Sequence, residues 1–323
     1  MKSRSEGEHV GRRSVLCGAA WMMLPALSGC RCGGGSGPEG GPPGALNSAV
    51  SKGIGANVGR WREVFFGASD VYAEDEKALI LVPEGAEKLP IVVALHGRGE
   101  TRSLDIGARG FRDYYGVDRL DDRLRNPPLN ADDLLGFTNE KRLGEINRSL
   151  EKEAYKGVVL ACPYAPDLKD RSFDGAHAYT RFLVEVLLPR VHKEAGEPKA
   201  PVGIDGVSMG GRLALWAGFH FPEVFSAVGA MQPALRLDEA DRVAELAGRA
   251  RAKNPKLRLR LISSEKDPFL EAVKAASKAM EERRIEHDLV VVPGPHNYEW
   301  NQGPGSAEML LWQERALRGL SSP

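Results

Sequence analysis

The sequence has little that would identify it by composition. Acidic and basic residues balance at 44 each, for a formal net charge of zero. That balance leaves no electrostatic footprint for nucleic acid and no bias toward a strongly charged partner. No tract of like charges and no internal repeat occurs. Cysteines number four, and no CxxC pair or His/Cys cluster has zinc-site spacing, because a single residue separates Cys30 from Cys32. Neither a metal nor any other cofactor is expected. The apolar run from Val15 to Leu27 falls short of the about 20 residues that a membrane-spanning helix requires. What is present is a globular composition, 42% apolar and 27% charged over 323 residues, a length ordinary for one α/β body.

Residues 1–30 read as an address rather than as part of the fold. Arg12-Arg13 precedes the apolar stretch, and small residues Ser28-Gly29 follow it, as in a secretory signal. Leu27-Ser28-Gly29-Cys30 resembles a bacterial lipobox, which implies cleavage before Cys30 and lipidation of that residue. Gly11-Arg12-Arg13-Ser14-Val15-Leu16 is similar to a twin-arginine export signal but lacks its usual first Ser/Thr and its Phe; ordinary Sec export is the alternative. The resemblance implies an exported lipoprotein held on a membrane of the bacterial cell envelope. Residues 31–57, dominated by Gly and Pro, read as a flexible tether. The folded body is then 58–323. Cys162 reads as a small buried hydrophobe, with a disulfide to Cys32 as the other possibility.

Along the body, apolar runs alternate with amphipathic stretches. Strands are predicted at Arg62–Phe66, Ala78–Val82, Ile91–His96, Val158–Pro163, Val202–Val207, Ala227–Met231, Leu257–Ser263 and Asp288–Val292. Helices are predicted at Ala176–Ala195, Gly210–His220, Asp238–Ala252, Phe269–Arg284 and Ser306–Leu317, with helical spacing also from Leu143 to Leu150. Near-continuous Val/Ile/Leu strands separated by helices imply a mostly parallel, doubly wound α/β sheet of about eight strands, with helices on both faces. The opening strands, with no helix between them, should be antiparallel. The interval between His96 and Val158 is too long for one crossover, leaving a surplus at about 104–138. It is either surface decoration or a cap shaping a pocket, and the second is favoured because it leaves the carboxyl end of a central strand.

Gly206-Val207-Ser208-Met209-Gly210-Gly211 follows an apolar strand and opens a helix. A GxSxG string in that setting is a nucleophile elbow, where small flanking residues permit a sharp, strained turn. The other reading is a helix-capping serine in a glycine-rich turn. A serine nucleophile needs a base held by a carboxylate. His296 lies late in the chain after a predicted strand and Pro293-Gly294-Pro295. The carboxylate is expected after the penultimate strand, at Asp267, which Pro268 would place at a helix N-cap; Glu265 is the second choice. Oxyanion donors are expected at the backbone N–H of Met209 and of Arg98, the latter flanked by Gly97 and Gly99.

Leu-His-Gly-Arg-Gly, Asp-Gly-Val-Ser-Met-Gly-Gly, Lys-Asp-Pro-Phe and Pro-Gly-Pro-His-Asn-Tyr-Glu-Trp occur in that order. Together they resemble the putative-esterase branch of the α/β-hydrolases, which includes esterase D, feruloyl esterases and siderophore esterases. The resemblance spans roughly residues 75–318. It implies metal-free hydrolysis of small-molecule or oligomeric carboxylic esters, with Ser208, Asp267 and His296 at the triad positions. Pro295 and Asn297 stand where members of the branch often have Gly and Asp. Rival readings are an acyltransferase or peptidase of the same fold, and a lipid-anchored binding protein without catalysis.

Overall fold

The computed structural model describes residues 60–84 and 88–323. The export segment, Cys30, Cys32 and the whole of the tether therefore lie outside the described residues. Eight strands form one sheet: β1 (Arg60–Phe66), β2 (Glu76–Val82), β3 (Ile91–Leu95), β4 (Val159–Pro163), β5 (Val202–Gly206), β6 (Phe225–Met231), β7 (Arg258–Lys266) and β8 (Asp288–Pro295). Their order is β1-β2-β4-β3-β5-β6-β7-β8. The β1/β2 and β2/β4 pairs are antiparallel and every later pair is parallel. This is the fold of the α/β-hydrolases.

The central strands show why. All five residues of β3, of β4 and of β5 are buried, so each strand is covered on both faces. Successive side chains go to opposite layers: Ile91, Val93 and Leu95 join one core, Val92 and Ala94 the other. A one-residue slip would exchange the two sets.

The helices are, in chain order, α1 (Leu104–Ala108), α2 (Gly110–Asp113), α3 (Val117–Arg125), α4 (Glu140–Lys152), α5 (His177–Phe182), α6 (Leu188–Ala195), α7 (Met209–His220), α8 (Ala240–Lys253), α9 (Leu270–Glu282), α10 (Tyr298–Trp300) and α11 (Ser306–Leu317). A π turn at Leu183–Leu187 joins α5 to α6, beside Pro189, which has no N–H to donate. Helices α5 to α9 cover the first core, and α3, α4 and α11 the second. Buried Glu308 of α11 bonds Arg142 of α4 at 2.6 Å and also pairs with Arg260 of β7. The two cations hold its carboxyl down at about 2 against the cost of burial. Cys162 is a free, buried thiol in β4, and burial pushes its pKa up.

Residues 104–138 form α1, α2, α3 and a 3-10 turn at Asp132–Leu134. Phe111, Leu120, Leu124 and Leu134 are buried in the second core with Trp300, Met309 and Leu310. Tyr115 reaches the loop after β3, Tyr114 lies against Tyr298, and Phe137 lies against Gly294 near the end of β8.

Candidate active site

Ser208 follows β5, Asp267 follows β7 and His296 follows β8, so all three leave carboxyl ends of parallel strands and share one edge of the sheet. Ser208 has φ 57° and ψ −115°, a backbone state that costs a non-glycine residue about 1–3 kcal/mol. Four hydrogen bonds hold the turn against that cost. Val207 N donates to Leu95 O at 3.0 Å, Ser208 N to Met231 O at 2.9 Å, and Arg212 N and Ala234 N to Ser208 O at 3.1 and 2.9 Å. At about 1 kcal/mol each, they outweigh the strain. The glycine spacing has a steric cause. A Cβ on Gly206 would stand 2.4 Å from Gly210 O, and one on Gly210 would stand 2.1 Å from Leu95 O.

His296 Nδ1 lies 3.0 Å from Asp267 Oδ1. The Asp267 side chain is fully buried and that of His296 is 23% exposed. Asp267 Oδ1 also accepts from Phe269 N at 3.0 Å, and Oδ2 accepts from Ser263 Oγ at 2.5 Å. An ionised carboxylate only accepts, so the His296 proton belongs on Nδ1 and Nε2 is left as an acceptor. Phe269 packs edge-on to the imidazole, with centroids 5.5 Å apart.

Two local expectations are corrected. Asp267 is not the N-cap of α9, which begins at Leu270 with Phe269 as its cap. Pro268 lies in a turn instead, and Asp267 accepts from the N–H of Phe269 within that turn. Strand β8 runs on to Pro295, paired with Lys266, where a loop was expected from Pro293. His296 therefore leaves the end of a strand directly. Glu265 is exposed at the end of β7 and does not meet His296.

Met209 opens α7 and Arg98 opens a 3-10 turn at Arg98–Glu100; the first N–H groups of a helix have no partner within it. A Cβ on Gly97 would lie 3.7 Å from Ser208 Cβ, so this loop runs beside the serine. His96 is wholly buried beneath it. Its Nε2 accepts from Ala165 N at 2.8 Å, which leaves the proton on Nδ1 to donate to Gly97 O at 2.7 Å. Burial brings the His96 pKa down to about 4. The Arg98 guanidinium is half exposed and bonds Asp167 at 2.9 Å, as does Arg171. A small apolar cleft, lined by Pro166, Leu168, Met209 and Leu213 with Arg171 and Arg212, opens beside Met209. A larger surface cleft between α4 and the C-terminal residues holds none of these side chains.

Several residues at this edge carry no sequence motif. Gln232, at φ 43°, donates through Nε2 to Ser264 Oγ at 2.7 Å and to Pro295 O at 3.0 Å, holding the residue before His296. Glu100, Tyr115 and Tyr298 form a buried cluster under the loop at 97–99. Of these, Tyr298 alone falls within the motif around His296, two residues after it. The remaining histidines of the body have structural partners: His220 bonds Phe173 O, His192 faces Glu197 O, His287 bonds Ser277, and the His177 ring packs on His220. Among the described residues, no group of three or more His, Cys, Asp or Glu could hold a metal ion.

A family model described as "Putative esterase" matches residues 151–314, a span that includes Ser208, Asp267 and His296. Similar solved structures include a ferulic acid esterase, with TM-score 0.59 and 15% identity over 80% of this chain and 98% of that one. A fluorophosphonate-binding serine hydrolase of Staphylococcus aureus, solved with substrate bound, gives 0.57 and 14% over 79% and 98%. The S-formylglutathione hydrolase of Staphylococcus aureus gives 0.55 and 14% over the same shares. At these identities the likeness is one of fold. No curated protein matches the chain in sequence.

Proposed function

The chain belongs to the putative-esterase family, an α/β-hydrolase that cleaves esters, and from that premise we propose that it works through an acyl-enzyme on Ser208. His296 Nε2 takes the proton of Ser208 Oγ as that oxygen bonds the ester carbonyl carbon. The N–H groups of Met209 and Arg98 hold the resulting oxyanion. The tetrahedral species collapses by breaking its bond to the alcohol oxygen, which receives the proton from His296. Water then repeats the sequence: His296 takes its proton, the hydroxide oxygen bonds the acyl carbon, and Ser208 leaves with the proton returned. Asp267 keeps the imidazole in its Nδ1–H tautomer and stabilises the imidazolium.

The observation that carries this reading is the 3.0 Å contact from His296 Nδ1 to a buried, triply engaged Asp267. That arrangement leaves Nε2 free to act as a base. The substrate is a small-molecule or oligomeric carboxylic ester. Replacing Ser208 by Ala is expected to abolish both p-nitrophenyl acetate hydrolysis and labelling by a fluorophosphonate. A Ser208→Ala protein that kept both would overturn the mechanism.

The proposal extends to location. Leu27-Ser28-Gly29-Cys30 after an apolar run supports export and a lipid anchor on Cys30 at the bacterial envelope. Among the described residues, no helix is long and apolar enough to cross a membrane. Cys30→Ser is expected to end incorporation of radiolabelled palmitate, and persistent labelling would remove the anchor from the proposal.

A further inference from the structure

Glu100 is a carboxyl group only 1% exposed, and the mechanism above does not use it. Both of its oxygens are engaged. The Tyr115 hydroxyl donates to Oε2 at 2.5 Å and the Tyr298 hydroxyl to Oε1 at 2.5 Å. Tyr115 in turn accepts from the Gly97 N–H at 2.9 Å. The Tyr298 ring stacks on Tyr115, with centroids 6.1 Å apart. A single carboxylate therefore joins the loop after β3, the bend between α2 and α3, and the turn that follows His296.

We infer that Glu100 is a positioning residue: through Tyr115 and Tyr298 it clamps the loop carrying the Arg98 donor to the turn carrying His296. This rests on the function proposed above.

The protons settle the direction of each bond. The Tyr115 oxygen accepts from Gly97, so its one hydrogen is aimed at Glu100, and the hydrogen of Tyr298 is aimed there too. Only an acceptor with two free oxygens takes both, which a carboxylate supplies and a neutral side chain of the same shape does not. Burial raises the Glu100 carboxyl above its ordinary range, with the two phenols acting in the opposite sense. The arrangement is therefore held at a desolvation cost that simple packing does not require.

The leverage lies in Gly97. Its N–H is held by Tyr115 and its C=O by His96 Nδ1. Across a trans peptide the C=O and the following N–H point in opposite directions. Fixing the Gly97 carbonyl on His96 therefore aims the Arg98 N–H away from His96. Releasing the Gly97 N–H from Tyr115 frees the preceding peptide, His96–Gly97, and leaves the Arg98 N–H on a loop held only through the Gly97 carbonyl. The other end of the clamp is equally close: a Cβ on Gly99 would stand 2.4 Å from the Tyr298 hydroxyl. The turn after His296 thus rests directly on the oxyanion loop, and a shift of one is transmitted to the other.

The test uses Tyr115→Phe, Tyr298→Phe, their combination, Glu100→Gln and Glu100→Ala in the full chain. Misplacement of about 1 Å costs about 100-fold in turnover, so each single phenylalanine variant is expected to lose about 10–100-fold in kcat on p-nitrophenyl acetate. KM should stay within about threefold, and kcat is read per folded molecule, because the urea midpoint falls when the buried carboxyl loses a donor. Breaking either link severs the same connection, so the double variant is expected to lose about as much as the worse single one. Glu100→Gln keeps one oxygen for one tyrosine but turns an NH2 toward the other, so it is expected to lose kcat in the range of the single phenylalanine variants, and a Gln variant within twofold of the wild type overturns the need for a carboxylate. Tyr298→Phe with kcat within twofold of the wild type overturns the clamp, as does a double-variant loss equal to the product of the singles. If Glu100→Ala does not fold, the phenylalanine pair still decides. An inactive, unlabelled wild type would remove the proposed function itself, whereas an active wild type with unaffected phenylalanine variants removes only the clamp.

Discussion

Gly210→Ala is a sharp probe of the proposed oxyanion site, because the clash it creates is with backbone on the opposite side of that site. The added Cβ would lie 2.1 Å from Leu95 O and 2.4 Å from His96 O, where real Cβ contacts do not fall below 3.0 Å. Neither oxygen belongs to a side chain that can rotate aside. The start of α7 and the loop after β3 must therefore separate by at least 0.9 Å, the difference between 3.0 and 2.1 Å. Met209 lies on one side of that gap and Arg98 on the other, so the two proposed donors move apart. The bond from Val207 N to Leu95 O, 3.0 Å in the wild type, is stretched by the same motion. Overpacking of this kind costs about 1–3 kcal/mol of stability, and a displacement near 1 Å costs about 100-fold in kcat. Gly218→Ala provides the control. Its Cβ would meet Val228 Cγ2 at 2.2 Å, an equally severe clash on the same helix, but in the core and against a side chain. It is expected to lose comparable stability while turnover per folded molecule stays within about threefold. The assays are kcat and KM on p-nitrophenyl acetate, the rate of fluorophosphonate labelling, and urea midpoints. Gly210→Ala turning over within threefold of the wild type would refute the reasoning, and so would Gly218→Ala losing as much activity as Gly210→Ala.

Two further perturbations follow from side chains described above. In Asp267→Asn the Phe269 N–H, bonded to Oδ1, keeps the amide oxygen on the side that faces His296, so the Nδ1–H tautomer survives and only the charge is lost. The expected fall in kcat is about 10²–10³-fold, short of the roughly 10⁴-fold cost of a flipped tautomer; a loss of 10⁴-fold would refute the tautomer argument, and a loss under threefold the role of Asp267. Burial lifts the Glu76 carboxyl from 4.5 to about 9, and its Oε2 has no partner. Between those pH values the folded protein holds a proton that the unfolded chain has released, so stability falls as pH rises through the window. Glu76→Gln is expected to raise stability by about 5 kcal/mol near pH 8 and by about 1 kcal/mol near pH 5, read from urea midpoints. An equal gain at both pH values would show that the carboxyl does not titrate in this way.

Much of the architecture is legible in the sequence because its causes are local. Runs of Val, Ile and Leu mark strands covered on both faces, and the change from period two to helical spacing marks the crossovers. The elbow around Ser208 was legible for a steric reason: only glycine fits at 206 and 210, so the constraint is written into the chain. The order of Ser208, Asp267 and His296 along the sequence follows from the order of the parallel strands that carry them. The ends of elements were less legible. Helix α9 starts two residues beyond Pro268, and β8 continues through two prolines, because edge pairing with Lys266 outweighs their poor strand propensity.

Tertiary structure alone shows which of two nearby carboxylates, Asp267 and Glu265, meets His296: only Asp267 is turned inward to it. It also brings Glu100, Tyr115 and Tyr298 into contact and sets Gln232 against Pro295. Glu100 and Tyr298 are 198 residues apart, and each is an ordinary polar residue in its own neighbourhood. Their partnership exists only because β3 and β8 end at the same edge of the sheet, where their loops fold together and exclude water. A hydrogen bond between distant, singly occurring side chains leaves no periodicity and no spacing in the sequence, whereas a glycine that must avoid a clash with its own turn leaves both.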